Sequence, residues 1–182
     1  MDTLGVVETR TIASGVLLSD AMMKEADVEL VRASTICSGR YIIFIAGGRD
    51  AVATSVKLAE DSDHSLVGNF VISNVSPQLL HVLQKGSVTH TGGALGLVEC
   101  RNVSSGVVAA DSAIKHSDVL LLRLVTGQGI NGKSYFVLSG DVASVKDATQ
   151  RAESILGKNL IESIVIPRPN DSVVRSLIKG IQ

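Results

Sequence analysis

The chain contains one pattern of residues written twice. Residues 4–10 recur as residues 95–101. The correspondence continues without a gap from residues 4–35 to residues 95–126, where 15 of the 32 aligned positions are identical. A long internal repeat means that one fold is built twice from two related segments.

The two copies align along nearly their whole length, with two small shifts where the second copy is longer. The offset between the copies is 91 at first, becomes 93 where Gly39 aligns with Gly132, and becomes 94 from residue 66 onward. A short segment with several glycines and little apolar content separates the copies. We therefore expect a first domain at residues 1–88 and a second at residues 93–182.

The hydrophobic periodicity of each copy predicts alternating strands and helices. In the first copy the predicted strands are residues 4–9, 28–35, 41–46 and 70–72, and the predicted helices are residues 14–26, 50–60 and 77–83. Asp50 is the predicted N-cap of the second helix, and Pro77 lies in the first turn of the third. The order βαββαβ(α) is the split-βαβ, ferredoxin-like arrangement of an α/β (α+β) fold.

Composition excludes several classes of function. The net charge is −1, which argues against a nucleic-acid binder or a polybasic protein of membrane surfaces. Aromatic residues make up 3% of the chain, so a site that stacks bases or sugars is not expected. We find no apolar segment long enough to span a membrane and no signal-peptide pattern, which favours a cytosolic protein with reduced thiols.

The two cysteines have different surroundings. Cys100 takes the place of Thr9 of the first copy within a predicted strand, where a buried and inert thiol is expected. Cys37 lies in a predicted turn among small residues, at a position where the second copy has no cysteine. An accessible thiol permits metal ligation or redox chemistry.

The remaining polar residues favour structural roles. Glu8 and Glu99 occupy equivalent strand positions and are each followed by an arginine, Arg10 and Arg101, which favours a structural ion pair over acid–base catalysis. A strand rather than a helix follows the glycine-rich segment 127–133, so we expect a flexible turn and not a phosphate loop. The histidines lack metal-ligand spacing and are expected at the surface; they are His64, His81, His90 and His116. No enzymatic constellation is predicted.

Residues 4–10, 20–24 and 164–170 together resemble the shell-protein domain of bacterial microcompartments. The resemblance covers both copies, in the non-permuted strand order. It implies two tandem shell domains in a structural protein that forms homotrimers. Such trimers are flat, pseudo-hexagonal tiles with a central pore, and they pack edge to edge with other shell proteins in a cytoplasmic microcompartment shell.

The turn around Cys37 resembles one branch of that family more closely. Residues 35–40 read Thr-Ile-Cys-Ser-Gly-Arg, which is similar to the pore loop Thr-Ile-Cys-Pro-Gly-Lys of the tandem-type shell protein of propanediol-utilisation compartments. The resemblance implies an iron–sulfur cluster of the 4Fe-4S type, held by three copies of Cys37 on the trimer axis. The implied pore-loop residues are Thr35, Ile36, Ser38 and Gly39.

Three further residues match positions that the family uses at tile edges. Lys24 and Lys115 occupy the position of the family's edge lysine, and Arg168 matches the arginine of its Pro-Arg-Pro motif. The resemblance implies that these side chains meet adjoining tiles. A guanidinium donates to several carbonyl groups at once, which a lysine does not reproduce.

Three functions remain open from the sequence. In the first, the pore carries an iron–sulfur cluster and moves electrons across the shell. In the second, the pore passes small metabolites without a cluster, and Cys37 only narrows it. In the third, the chain is a ferredoxin-like regulatory trimer that binds a nucleotide, although it lacks a basic phosphate loop.

Overall fold

Each copy of the repeat folds into a four-stranded antiparallel sheet with helices. The structure is a computed structural model and describes residues 2–88 and 92–179. The elements of the first copy are β1 (Thr3–Thr9), α1 (Ile12–Glu25), β2 (Val28–Ile36), β3 (Arg40–Gly47), α2 (Arg49–Glu60), β4 (Leu66–Ser73) and α3 (Pro77–Lys85). Those of the second are β5 (Ala94–Cys100), α4 (Val103–His116), β6 (Leu120–Thr126), β7 (Ser134–Gly140), α5 (Val142–Leu156), β8 (Leu160–Ile166) and α6 (Asp171–Lys179).

The strand orders confirm the ferredoxin-like arrangement predicted for both copies. The first sheet has the order β2-β3-β1-β4, and the second has the equivalent order β6-β7-β5-β8. The first strand of each copy lies in the interior of its sheet and pairs on both sides, so its side chains are almost entirely buried. This explains why β1 and β5 read as continuous apolar runs rather than as alternating ones.

Small residues let the helices approach the sheets closely. A Cβ atom on Gly5 of β1 would lie 2.7 Å from Ile45 and 2.9 Å from Val52 of α2. Gly96 of β5 has the same relation to α5, with Val145 at 2.8 Å. Substituting either glycine would force the helix away from the sheet, because the interior is close-packed.

The helices lie where they were predicted, but their ends differ by one or two residues, and β4 is longer than the predicted strand 70–72. Thr11 caps α1 by accepting the Ser14 N–H at 3.3 Å, and Pro77 is in the first turn of α3 as predicted. The prediction of Asp50 as the N-cap of α2 is wrong: the N-cap is Gly48, and Asp50 lies in the first turn. A carboxylate in the first turn also interacts favourably with the helix dipole. Acidic residues therefore suit both the N-cap and the first turn, and the residue type alone does not distinguish the two positions.

The chain divides into two compact units. The first runs to Val75 and includes Asn102–Ser104 and Gly127–Gly132. The second consists of Ser76–Arg101, Ser105–Thr126 and the chain from Lys133 onward. Two short segments of the second repeat therefore belong to the first unit, and one of them is the glycine-rich segment after β6. No helix of the described residues is long and apolar enough to cross a membrane.

Candidate functional site

The turn that carries Cys37 has an unusual backbone. A single 3-10 turn, Cys37–Gly39, joins β2 to β3. Ser38 has φ 67° and Gly39 also has φ 67°, so both lie in the left-handed region. Proline, with φ fixed near −65°, does not fit at Ser38 in this conformation. Ser38 therefore permits a positive φ angle that a proline at the same position cannot adopt.

The segment Gly127–Gly132 of the first unit surrounds this turn with backbone groups. The Cys37 N–H donates to the carbonyl oxygen of Gly127 at 3.2 Å. The hydroxyl of Ser38 donates to the side-chain oxygen of Asn131 and, at 3.3 Å, to the Asn131 carbonyl oxygen. Positive φ angles at Gly127, Gly129, Asn131 and Gly132 turn this segment back on itself. These contacts hold the Cys37 turn in one conformation.

The Cys37 sulfur accepts a backbone hydrogen bond. The Gly129 N–H donates to Sγ at 3.1 Å. This bond is the main reason that the pKa of the Cys37 thiol lies below its ordinary value. Partial desolvation acts in the opposite direction, and the N–H groups of Asn131, Ile130 and Gly132 add to the lowering. Successive N–H groups of this kind stabilise an anion, here the thiolate.

The other predicted loop residues have distinct roles. Ile36 is 5% exposed and packs against Gly127, where an added Cβ would lie 2.8 Å from the Cβ of Ile36. Thr35 is exposed, and its carbonyl oxygen accepts the side-chain amide of Gln128 at 3.4 Å. The two remaining residues of the turn, Ser38 and Gly39, are also exposed. Ile36 thus anchors a turn in which Thr35 and Ser38 are exposed and Cys37 is partly exposed.

One chain supplies one thiolate for a metal. Cys37 is partly exposed, whereas Cys100 is buried as predicted and burial raises the pKa of its thiol to about 12. Among residues 2–88 and 92–179, no group of three or more His, Cys, Asp or Glu side chains is arranged to hold a metal ion. A cluster with cysteine ligands therefore requires several copies of Cys37 from several chains.

Glu8 and Glu99 each form an ion pair, but with a cation other than the neighbouring arginine that the sequence analysis named. Glu8 is fully buried and lies 3.3 Å from Nη1 of Arg40, and Glu99 lies 3.1 Å from Nζ of Lys133. Arg40 and Lys133 are equivalent residues directly after the two loops. Arg101 does not form the expected pair with Glu99: its Nε donates to the Lys158 carbonyl oxygen at 3.0 Å. Cross-strand pairing explains this, since β1 and β5 pair with β3 and β7.

The three predicted tile-edge residues are exposed. Lys24 pairs with Asp20 at 2.6 Å, and its side chain is 73% exposed. Lys115 pairs with Asp111, a carboxylate that is nearly buried. Arg168 is exposed after the end of β8. All three side chains are open to an adjoining molecule.

His81 and His116 are exposed as predicted, and His116 lies 3.4 Å from Asp147. His64 is half-buried and shares a hydrogen bond of 3.1 Å with Ser14. His90 lies outside the described residues.

Two copies of one α/β domain, each a four-stranded antiparallel sheet with helices, define the class of protein to which the chain belongs. The sequence model of the BMC domain matches residues 3–75 and 94–169. The chain therefore belongs to the BMC-domain family of bacterial microcompartment proteins, in a tandem form.

The relatives place it within that family. It is 35% identical to the bacterial microcompartment shell protein PduT of Citrobacter freundii, over 97% of this chain and 98% of that one. It is 30% identical to the carboxysome assembly protein CcmO of Synechococcus elongatus, over 96% of this chain and 68% of that one. A solved microcompartment protein from Desulfitobacterium hafniense has a TM-score of 0.85 and 37% identity, and the match covers 96% of this chain and 99% of that one. The chain is a structural protein of a microcompartment shell and not an enzyme.

Proposed function

We propose that three copies of this chain form a tile of the shell, with the three Cys37 turns meeting at a central pore and holding one iron–sulfur cluster. In this proposal the two shell domains are residues 1–88 and 93–182, and the tile packs edge to edge with other shell proteins. The observation that supports this proposal most directly is the environment of Cys37. The residue is partly exposed, its sulfur accepts the Gly129 N–H, and the pKa of its thiol is lowered.

The chemistry of the loop suits a cluster ligand. A thiolate is the form of cysteine that binds iron, and a lowered pKa increases its fraction near neutral pH. Hydrogen bonds from backbone N–H groups to cluster sulfurs are one of the means by which proteins tune reduction potential. When bound, the cluster would supply one-electron transfer across the shell.

The residues around Cys37 support this role without contacting iron themselves. Ile36, packed on Gly127, anchors the end of β2, and the hydrogen bonds of Ser38 to Asn131 fix the turn. A fixed turn limits the loss of conformational entropy when three thiolates are brought together. Three thiolates bind three irons of a cubane cluster, which leaves the fourth iron to another ligand.

Anaerobic reconstitution with iron and sulfide tests the proposal. We expect a trimeric mass by light scattering, a brown protein with absorbance at about 400 nm, and close to four irons for every three chains. A colourless trimer after reconstitution would instead favour a pore for small metabolites, in which Cys37 only narrows the opening. A monomer at micromolar concentration would contradict the tile itself.

A further inference from the structure

Asn131 lies in the segment that surrounds the Cys37 turn, and the residue after it is Gly132. It is the one asparagine of the chain that glycine follows; the others precede Phe, Val, Leu or Asp. Asparagine is a thermolabile residue, because the backbone nitrogen of the next residue attacks its carboxamide. Glycine hinders this attack least, because it has no Cβ. Asn131 is also exposed to the solvent that such a reaction needs.

The hydrogen bonds around Asn131 act on both atoms that would react. The Ser38 hydroxyl donates to Oδ1 of Asn131 and so draws electron density away from the carboxamide carbon Cγ. The Gly132 N–H donates to the Gly127 carbonyl oxygen at 3.2 Å, and this bond has to open before the nitrogen attacks. The carbon is therefore activated in the folded loop, and the opening of one backbone hydrogen bond limits the rate.

The first unit contains a second asparagine that matches Asn131 in everything except its neighbour. Asn74 is also exposed, and its φ of 49° is close to the 56° of Asn131. The residue after it is Val75, which is 7% exposed and whose N–H donates to the Asp2 carbonyl oxygen at 2.8 Å. A stiff, β-branched side chain in a packed position hinders ring closure. Asn74 is therefore expected to keep its amide.

We propose that Asn131 is a site of spontaneous deamidation, which replaces its carboxamide with a carboxylate next to the Cys37 turn. The Gly132 nitrogen bonds to Cγ of Asn131, and the side-chain nitrogen leaves as ammonia with the proton of the Gly132 N–H. Water then opens the resulting succinimide ring at one of its carbonyl groups. The product is either aspartate or isoaspartate, in which the main chain runs through the side-chain carbon. One water is consumed and one ammonia is released, without an oxidant or an enzyme.

The new carboxylate changes the charge around Cys37. The Ser38 hydroxyl, one residue from the cysteine, then donates to an anionic oxygen in place of a neutral one. The charge lies in the same segment whose Gly129 N–H donates to the Cys37 sulfur. A negative charge close to a thiol disfavours the thiolate, which is the form that reacts and binds metals.

The isoaspartate product also changes the backbone of this segment. It adds one methylene to the main chain between residues 131 and 132, where space is short: a Cβ on Gly132 would lie 3.0 Å from the Cys37 carbonyl oxygen. The segment has to move to accept the extra group, and its N–H groups move with it. Both products therefore make Cys37 a poorer nucleophile and a poorer ligand. The effect on iron rests on the proposed function, whereas the deamidation itself does not.

Incubation of the folded, iron-free protein in heavy-oxygen water at mildly alkaline pH tests the site. Each deamidation adds one heavy oxygen atom, which peptide mass spectrometry locates. We expect residue 131 to take up the label until most of its amide is lost, while Asn74 keeps its amide. Asn131→Gln is the matched variant and should stay unlabelled, because its longer side chain closes a ring much more slowly. Retention of the Asn131 amide, or loss of the Asn74 amide at the same rate, would overturn the proposal.

Variants that carry the product from the start test the consequence for Cys37. Asn131→Asp places a carboxylate in the loop, and Asn74→Asp places one at the matched exposed position. In Cys100→Ser protein at neutral pH, we expect Asn131→Asp to slow the reaction of Cys37 with iodoacetamide several-fold and Asn74→Asp to leave the rate unchanged. Aged protein should slow in proportion to the label at residue 131. Equal rates in the two variants would overturn the link to Cys37.

Iron binding separates this inference from the proposed function. After anaerobic reconstitution we expect less iron in aged protein and in Asn131→Asp than in fresh protein. Fresh protein that binds no iron would contradict the cluster, and the label at residue 131 with slower alkylation of Cys37 would still support the deamidation. Fresh protein that binds iron, with an Asn131 amide as durable as that of Asn74, would overturn the deamidation alone. Equal iron in fresh protein and in Asn131→Asp would overturn the effect on the ligand.

Discussion

The N–H of Gly129 points at the sulfur of Cys37 across 3.1 Å, although 92 positions separate the two residues in the chain. Both belong to the first unit. The N–H donor comes from the loop of the second repeat, which is two residues longer than the loop that carries the cysteine. Its extra glycines adopt the positive φ angles that bring several N–H groups toward one thiolate.

This contact predicts a shifted pH profile for the reaction of Cys37 with iodoacetamide. Gly129 lowers the pKa of the thiol, so the native protein should form the reactive thiolate at a lower pH than a free cysteine does. The measurement uses iron-free Cys100→Ser protein, so that one thiol reacts. The same protein unfolded in urea is the control, and the pH midpoint of its reaction should be higher than that of the native protein. A native midpoint at or above the unfolded one would contradict the role of Gly129.

The two cysteines should respond in opposite ways to substitution. Cys37→Ser is expected to eliminate bound iron and the visible absorbance after anaerobic reconstitution, while Cys100→Ser leaves both intact. Cys100 is buried, and burial raises the pKa of its thiol to about 12, so it does not supply a thiolate. The trimer should survive either change. A full complement of iron in Cys37→Ser would contradict the axial site and leave a plain pore-forming tile.

The equivalent ion pairs should differ in their contribution to stability. Arg40→Ala leaves Glu8, which is fully buried, without its cation. We expect a loss of about 3 kcal/mol in the free energy of unfolding, because an uncompensated buried charge is costly. Lys133→Ala affects a pair whose side chains are 43% and 33% exposed, and we expect less than about 1 kcal/mol.

Equilibrium unfolding in urea measures both changes. The midpoint of Arg40→Ala should fall clearly below that of Lys133→Ala. Arg40→Lys serves as a control, because it keeps a cation near Glu8 and should recover part of the loss. Equal midpoints for Arg40→Ala and Lys133→Ala would show that the burial of Glu8 does not govern the stability of this region.

Sequence patterns were sufficient for the elements of the fold. Apolar runs such as residues 41–46 and the repeat itself predicted the strand and helix order of both copies. The start of α2 was misplaced, because a first-turn carboxylate such as Asp50 and a true cap have similar signatures. Helix ends depend on backbone angles, and residue types only favour those angles.

The candidate site was only partly predictable. The position of Cys37 in a turn indicated an accessible thiol, and the structure agrees. The role of Gly129 was missed, because the segment 127–133 was interpreted as a flexible turn. Cys37 and Gly129 are far apart in the sequence. Hydrophobic periodicity predicts helices and strands, and it does not predict contacts between distant segments. The one available signal was the unequal length of the two loops.

The exposed cations of the predicted tile edge should matter chiefly for the assembly of tiles into sheets. We expect the combined variant Lys24→Ala, Lys115→Ala and Arg168→Ala to remain trimeric and to lose the ability to form two-dimensional arrays. Lys24 and Arg168 are exposed in the chain, so their loss leaves the packing of each unit unchanged. Lys115 contributes an ion pair to the nearly buried Asp111, and a lower melting temperature is expected from its loss.

Electron microscopy of sheets, together with light scattering of the trimer, checks this last prediction. Lys115→Ala alone is the control that separates stability from assembly: it should lower the melting temperature as much as the triple variant does. Replacing Arg168 by lysine should restore arrays poorly, because a guanidinium donates to several acceptors at once and an ammonium group does not match that geometry. Arrays of normal order in the triple variant would show that adjoining tiles meet through other residues.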